Sequence, residues 1–299
     1  MAIAPSGKQF ELTLGDQQAV VTEVGAGLRA YSASGRELLD GYPQDELAAS
    51  GRGQLLLPWP NRIRDGVYRF RGREHQLPLN EPERGNAIHG LTRWSSWTVV
   101  ERTADRVALE HLFHPQPGYP FLLELQVEYT LAPSGLTVRT TARNAGGEPC
   151  PYGAGAHPYL TVGPGGVNEA VLRIPAATML KSDERGIPVG SARVEGARDF
   201  RRPRPIGTVQ LDHCFTDLDR GVDGLARVEL DDTTLWADER YPYLMVFTGD
   251  SLPDGGRRSV AVEPMTCAPN AFASGDGLIV LEPGEEHAAA WGITPRAAA

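Results

Sequence analysis

The sequence predicts a large antiparallel all-β domain, and three observations carry that prediction. Short runs in which apolar and polar residues alternate recur along the chain, bounded by turn residues, the pattern of half-buried strands joined by tight turns. Of 299 residues, 34 are Gly and 24 are Pro, a load of helix breakers that opposes a helical bundle or solenoid. No stretch carries a convincing helix of ten residues; the best candidate, ELLDGYPQDELAAS at 37–50, is limited by Pro43. Hydrophobic residues at 41% and charged residues at 22% supply a large core and exclude a disordered chain.

Taken in order, FELTL and AVVTEV flank the turn that opens with Gly15-Asp16-Gln17, VYRF and EHQL flank Arg71-Gly72-Arg73, and WTVV and RVALEHLF flank ERTAD. Each pair reads as a β-hairpin. The longest pair is LLELQVEYTL, APSG, LTVRTTARN, where Glu124, Gln126 and Glu128 alternate with Leu125, Val127 and Tyr129. That alternation predicts a sheet with one wet face. AVLRI, ARVEL, YLMVF, SVAVEP and AAAWGI continue the series. No Ser-rich linker, low-complexity tract or clear repeat interrupts it, so residues 1–299 are read as a single domain.

The net charge of −9, from 29 Lys+Arg against 38 Asp+Glu, leaves no general basic surface and disfavours nucleic acid as a partner. One local basic cluster, Arg198, Arg201, Arg202 and Arg204, is interrupted by Pro203 and Pro205; it reads as a solvated loop or a polyanion site. Cys150, Cys214 and Cys267 are few, odd in number and widely spaced, which describes buried free thiols rather than a disulfide framework or zinc site. The start MAIAPSGKQF has no basic-then-apolar pattern and no stretch reaches 18 apolar residues. The expectation is a cytoplasmic protein with no membrane partner.

Several polar residues stand where chemistry is expected. His157 lies in Gly153-Ala154-Gly155-Ala156-His157-Pro158; Pro158 biases it toward extended backbone, and its small neighbours leave open space before the imidazole. His89 follows Ala87-Ile88 and precedes Gly90. Each histidine reads as a ligand-pocket residue or as a hydrogen-bonded structural one. Glu263, in VAVEP, is expected to end an apolar strand, because Pro264 cannot continue the ladder. Partial desolvation there would suit a general base; a solvated strand-end charge is the alternative. Asp212 reads as a ligand-binding carboxylate or a turn initiator. Arg62 and Arg64, after Asn61, share a face if extended, as forks for hydroxyls or as solvated charges.

No His-x-His or His-x₃-His pair occurs, and His111 and His114 point to opposite faces of a strand. No metal site is predicted. Walker, G-x-S-x-G and G-x-G-x-x-G motifs are missing too, which removes support for phosphoryl transfer, serine hydrolysis and dinucleotide chemistry.

The run PWPNRIRDGVYRFRGREHQLPLNEPERGNAIHG resembles the aldose 1-epimerase (mutarotase) family, with its N-R-I-x-x-G-x-Y-x-F-x-G segment, Q-L-x-x-N and a histidine-glycine pair. GAGAHPYL is similar to the family's second histidine motif, LDHCF to its binding aspartate and VAVEP to its catalytic glutamate. The four matches come in family order and extend over most of the chain. The resemblance implies a β-supersandwich of the galactose mutarotase type and cofactor-independent interconversion of the α and β anomers of a free aldohexose such as glucose or galactose. It implies Glu263 as general base and His157 as general acid, with Arg62, His89, Asp212 and Asn61 holding the sugar. A monomer or homodimer is expected.

One departure stands out, since galactose-type members carry a glutamine two residues past the glutamate, where this chain has Met265. Galactose therefore does not follow from the resemblance. A hexose 6-phosphate has only the cluster at Arg198 to Arg204 as its grip. Trp236 and Phe247 are candidates for an aromatic platform under a sugar or for core packing. Two other functions stay open: a non-catalytic carbohydrate-binding protein on the same fold, and a glycosidase using Glu263 and Asp212 as its two carboxylates.

Overall fold

The computed structural model describes residues 3–252 and 256–296. Among them, alternating sequence becomes antiparallel sheet almost everywhere. The hairpin Leu123–Ala132 and Gly135–Asn144 pairs in unbroken register from Leu123 opposite Asn144 to Ala132 opposite Gly135. Leu125, Val127 and Tyr129 are buried, while Glu124 is exposed and Gln126 and Glu128 are half-buried. One face is therefore dry, and each large apolar side chain on it contributes about 1.5–3 kcal/mol by burial.

That hairpin sits in a nine-stranded sheet. Its spatial order is Thr98–Arg102, Arg106–Phe113, Leu123–Ala132, Gly135–Asn144, Glu286–Pro295, Thr233–Ala237, Ala226–Leu230, Val171–Arg173 and Arg204–Pro205. A second sheet runs Pro188–Arg193, Ala176–Ser182, Asp212–Leu218, Tyr243–Phe247, Ser259–Met265, Gly155–Ala156 and Leu55–Leu56, with Tyr159–Thr161 also paired to Ser259–Met265. Leu125, Val138, Leu235 and Ile293 of the first sheet join Phe215, Leu244, Val246 and Val262 of the second in one apolar cluster. The two sheets thus close a β-supersandwich over a shared core. Gln9–Leu14, Gln17–Thr22, Leu28–Ala33 and Arg36–Glu37 form a further antiparallel sheet.

One expectation holds and one is corrected. The segment 37–50, the best helix candidate but limited by Pro43, is not helical. Leu38 and Leu39 are buried, Leu39 bridges Leu160, and the backbone runs beside 159–161 through Asp40 N–H to Tyr159 O (2.9 Å) and Thr161 N–H to Leu38 O (3.1 Å). Sheet pairing has taken the groups a helix would need. Helices among the described residues are short, Gly166–Glu169 and Ala271–Ser274, with a 3₁₀ turn at Gly196–Arg198.

Nor does Glu263 end its strand. Ser259–Met265 runs through both Glu263 and Pro264, every residue buried. The N–H groups of Val262 and Thr266 donate to Pro158 O (3.2 Å) and Ala154 O (2.8 Å). Pro264 falls between them, where the neighbouring strand is interrupted at His157 and Pro158, so its missing N–H forfeits no ladder bond. The three cysteines are free and buried, as their spacing suggests. No described helix is long and apolar enough to cross a membrane.

Candidate functional site

His157 occupies the gap between Gly155–Ala156 and Tyr159–Thr161. Its backbone is fixed there by His157 N–H to Gln54 O and Gly53 N–H to His157 O, both 3.0 Å. The ring is packed just as closely. Tyr159 stacks on it at 4.9 Å and 14°, and a Cβ on Gly51 would fall 2.7 Å from His157 Cδ2. Space at Gly51 is what lets the chain pass the imidazole. Only 5% of His157 remains exposed.

Glu263 approaches from the adjacent strand and is 3% exposed. Its Oε1 lies 3.4 Å from His157 Nε2. Met245 stands opposite it in the ladder and Met265 two residues on, so both share its face of the sheet. Met245, Met265 and Cys214 form a small apolar cluster of their own. Met265, at the position where the resemblance implies a glutamine in galactose-type members, thus packs in an apolar cluster. On that floor burial pushes the Glu263 carboxyl well above its ordinary value, and the Asp212 charge adds to the effect while Arg62 opposes it. Burial pushes His157 down to about 3, with Arg93, Arg52 and Arg62 adding to the fall. Glu263 Oε2 and His157 Nδ1 have no hydrogen-bond partner, two buried polar atoms left to a ligand or water.

Asn61 and His89 are tied together by two bonds. His89 N–H donates to Asn61 O at 2.9 Å, and Asn61 N–H donates to His89 Nδ1 at 3.2 Å. Both residues take left-handed backbone, with φ of 54° and 63°, a region asparagine and histidine enter more readily than most. With Nδ1 accepting, neutral His89 carries its proton on Nε2. Burial, with His157, Arg93 and Arg62 nearby, holds its pKa well below the usual value. The His89 and His157 rings meet edge to face at 5.3 Å and 77°. Asn61 turns its own Oδ1 to Arg62 N–H (2.9 Å), so it acts chiefly as a brace.

Arg62 and Arg64 diverge in partners: Arg62 Nε and Nη2 are gripped by Glu81 at 2.9 Å, whereas Arg64 pairs with Asp183. Arg62, Asn61, His89, His157, Asp212 and Glu263 all line one open cavity of about 710 Å³. Asp212 begins the strand Asp212–Leu218, exposed at the rim, 3.9 Å from Arg84. Phe247 lines the same cavity. Trp236 does not, since it belongs to the nine-stranded sheet opposite Gly292. The basic cluster at Arg198 to Arg204 lies outside it too, with Arg201 on Asp199 and Arg204 over Phe200. Sequence reasoning missed Glu81, Arg93 and Trp94, all on the wall. Trp94 is 55% exposed there, and a Trp-Ser-Ser run carries no spacing that would mark it.

The spacing test for metals misses a cluster. Side-chain donors of His89, His157 and Glu263 lie within 4.8 Å of one another, drawn from segments far apart in sequence. The donor set fits a cation poorly. His89 Nδ1 is spent on Asn61 N–H, which leaves a protonated Nε2 facing the cavity, and burial raises the Glu263 pKa, opposing its carboxylate form. His114 lies one residue past the strand Arg106–Phe113, so its pairing with His111 on one strand does not occur.

The fold is thus a β-supersandwich with a buried carboxylate–imidazole pair lining an open cavity. The aldose 1-epimerase family model matches residues 8–294, and the chain belongs to that family. It is 38% identical over 287 residues to the uncharacterised Escherichia coli protein YihR, covering 94% of this chain and 91% of that protein. Among solved structures it is similar to the GalM/aldose epimerase homologue from C. elegans, with a TM-score of 0.86, 19% identity and coverage of 96% and 98% of the two chains. Galactose 1-epimerase from Lactobacillus acidophilus has a TM-score of 0.80, 22% identity and coverage of 94% and 92%. At such identities the structural likeness speaks for the fold.

Proposed function

We propose that the protein is an aldose 1-epimerase that interconverts the α and β anomers of a free aldohexose by general acid–base ring opening. The observation that carries this reading is the 3.4 Å approach of His157 Nε2 and Glu263 Oε1. An anomeric carbon bears two oxygens, O1 and the ring oxygen O5, so the base and acid that open the ring must be neighbours. In a glycosidase two carboxylates flank the bond about 5–9.5 Å apart; here the neighbour of the carboxylate is an imidazole.

Glu263 as carboxylate takes the proton from O1 as C1=O forms, the C1–O5 bond breaks, and O5 takes a proton from His157. Rotation about C1–C2 presents the other carbonyl face. On reclosure His157 recovers the O5 proton and Glu263 returns one to O1. The pair therefore holds one proton throughout. Burial favours the arrangement with Glu263 protonated and His157 neutral, the starting state for reclosure. Opening starts from carboxylate and imidazolium, one proton transfer away, and Arg62 favours that carboxylate. Each positioned proton carrier contributes about 10²–10⁴-fold. Neutral His89 donates Nε2–H to a sugar hydroxyl and Arg62 and Asp212 complete the grip, while Asn61 contributes chiefly by bracing His89 and Arg62.

The test is the decay of optical rotation of freshly dissolved α-glucose and α-galactose, followed alongside a panel of free aldoses. Acceleration of at least one supports the reading. Binding without acceleration supports a non-catalytic carbohydrate-binding protein, and cleavage of a chromogenic glycoside supports a glycosidase.

A further inference from the structure

Arg62 is presented to the cavity by a chain of contacts that begins outside it. Glu81 takes its Nε and Nη2, and Nη1 lies against Gly186, where a Cβ would fall 2.7 Å from it. Glu81 is held in turn. Its Oε2 accepts Asn86 Nδ2 at 2.8 Å, and the Glu81 and Asn86 backbones exchange two N–H to O bonds of 3.1 Å that close the loop 81–86. Asn86 is fully buried. The loop is met by the turn between Ala176–Ser182 and Pro188–Arg193, the outermost hairpin of the second sheet. Arg185 of that turn reaches across to it. Its Nε donates to Arg84 O at 2.7 Å, and its Nη2 is shared among Gly85 O at 2.6 Å, Asp65 Oδ1 at 2.8 Å and Asn86 Oδ1 at 3.3 Å. Asn86 Nδ2 returns a bond to Arg185 O at 3.0 Å.

We propose that Arg185 is a positioning residue of the sugar site, which fixes the loop 81–86 and, through Asn86 and Glu81, the orientation in which Arg62 meets the sugar. The proposal rests on the mutarotase reading for the sugar that Arg62 holds. Arg185 stands off the cavity wall, so it touches no substrate itself. Its planar fork is what the place requires: Nε and Nη2 donate to successive carbonyls of one loop, a spread that a lysine ammonium does not span. A guanidinium–carboxylate fork is directional, so Arg62 is only as fixed as the loop that carries Glu81. The same loop carries Arg84, 3.9 Å from Asp212, and Arg185 therefore braces two of the groups that line the cavity. The turn is itself tied down. Asp183 Oδ1 accepts the N–H groups of Arg185 and Ile187, both at 3.0 Å, and its other oxygen pairs with Arg64. A side chain held in place before the sugar arrives loses less freedom on binding.

The direct readout needs no sugar. In the full chain the Arg62 Nε–H resonance, identified by its loss in Arg62→Lys, is followed by nitrogen-15 NMR. It should exchange with water at least about tenfold faster in Arg185→Met than in the parent, while Arg29 Nε–H, bonded to Gln9 Oε1 at 2.7 Å, keeps its rate. Arg185→Lys, which keeps the charge without the fork, should lie between the two and stands in where the methionine variant fails to fold. Unchanged exchange at Arg62, or equal acceleration at both arginines, overturns the proposal. For glucose and galactose, Arg185→Met should raise KM about three- to tenfold with a smaller fall in kcat, and should add less than about twofold in an Arg62→Met background. The full loss repeated in that background overturns it. Methyl β-glucoside and methyl β-galactoside, which cannot open, give the same comparison by calorimetry. Weakening of their binding that depends on Arg62, with no mutarotation of any sugar, supports the role of Arg185 and overturns the mutarotase reading instead.

Discussion

Tyr159 lies flat against His157, 4.9 Å between centroids and 14° between planes, and the same tyrosine ring carries the Arg52 guanidinium carbon at 4.7 Å. Arg52 is held in turn by Asp40 at 3.2 Å, and Tyr159 Oη donates to Ser50 O at 3.0 Å. The imidazole plane is thus set by a braced stack. Tyr159→Leu removes an aromatic contact worth about 0.5–1.5 kcal/mol and should lower kcat about two- to tenfold. Tyr159→Phe keeps the ring and should fall less. Stopped-flow polarimetry on both variants decides; equal losses would locate the effect in the hydroxyl.

Glu263→Gln keeps the shape of the side chain and removes the base. Turnover should drop by about 10²–10⁴-fold. The same change should raise the melting temperature at neutral pH, because the buried carboxyl, with its pKa held well above the ordinary range, no longer has to stay protonated to fold. A variant that melts lower than the parent would contradict the account of its burial.

The pH dependence of stability follows from the two shifts. His157 titrates near 3 when folded and near 6.5 when unfolded, so as pH falls below 6.5 the unfolded chain takes up the proton first and stability declines toward pH 3. His89 acts in the same direction. Glu263 acts oppositely: its contribution is fully present below the ordinary carboxylate value and is lost as pH rises through the raised folded value. Melting curves between pH 4 and 8 should show His157→Asn flattening the acid decline. An unchanged decline would assign it to other groups.

His89→Gln retains a donor but not the ring. It should raise KM about tenfold, the equivalent of one hydrogen bond of about 1.4 kcal/mol, with a smaller change in kcat. His89→Ala should cost more and also loosen Asn61, whose N–H then loses its acceptor. A loss confined to kcat in both variants would place His89 in the proton transfer.

Gly51→Ala places a methyl 2.7 Å from His157 Cδ2 at a φ of 80°. The imidazole must move or the loop must shift, and kcat should fall about 10²-fold if the ring is displaced by about 1 Å. Sugar affinity measured with a methyl glycoside should change less than turnover. A variant with parental kcat would mean the loop yields instead of the ring.

Much of the fold was legible because strand alternation is a local signal: the hairpin at Leu123–Ala132 and Gly135–Asn144 can be read residue by residue. At 37–50 Pro43 told against a helix, but the pairing of Leu39 with Leu160 was out of reach because it depends on residues far away. Glu263 was found by motif, yet its place inside the strand depends on which neighbour faces Pro264. Arg93 and Trp94 left no trace, since a place on the cavity wall is defined by everything around it. Trp236 failed for a related reason: alternation tells which side of a strand is dry, not which sheet the strand joins.

The strand Glu286–Pro295 lies in the middle of the nine-stranded sheet, between Gly135–Asn144 and Thr233–Ala237, although it follows every other strand of that sheet in the sequence. Until it is made, the sheet is two pieces with raw hydrogen-bonding edges, each able to recruit a stranger. Ribosomal synthesis must pass residue 286 before the halves can be sewn together, so folding is a late event with long loops to close. A chain halted just short of that point would keep all the site residues and still be expected to aggregate.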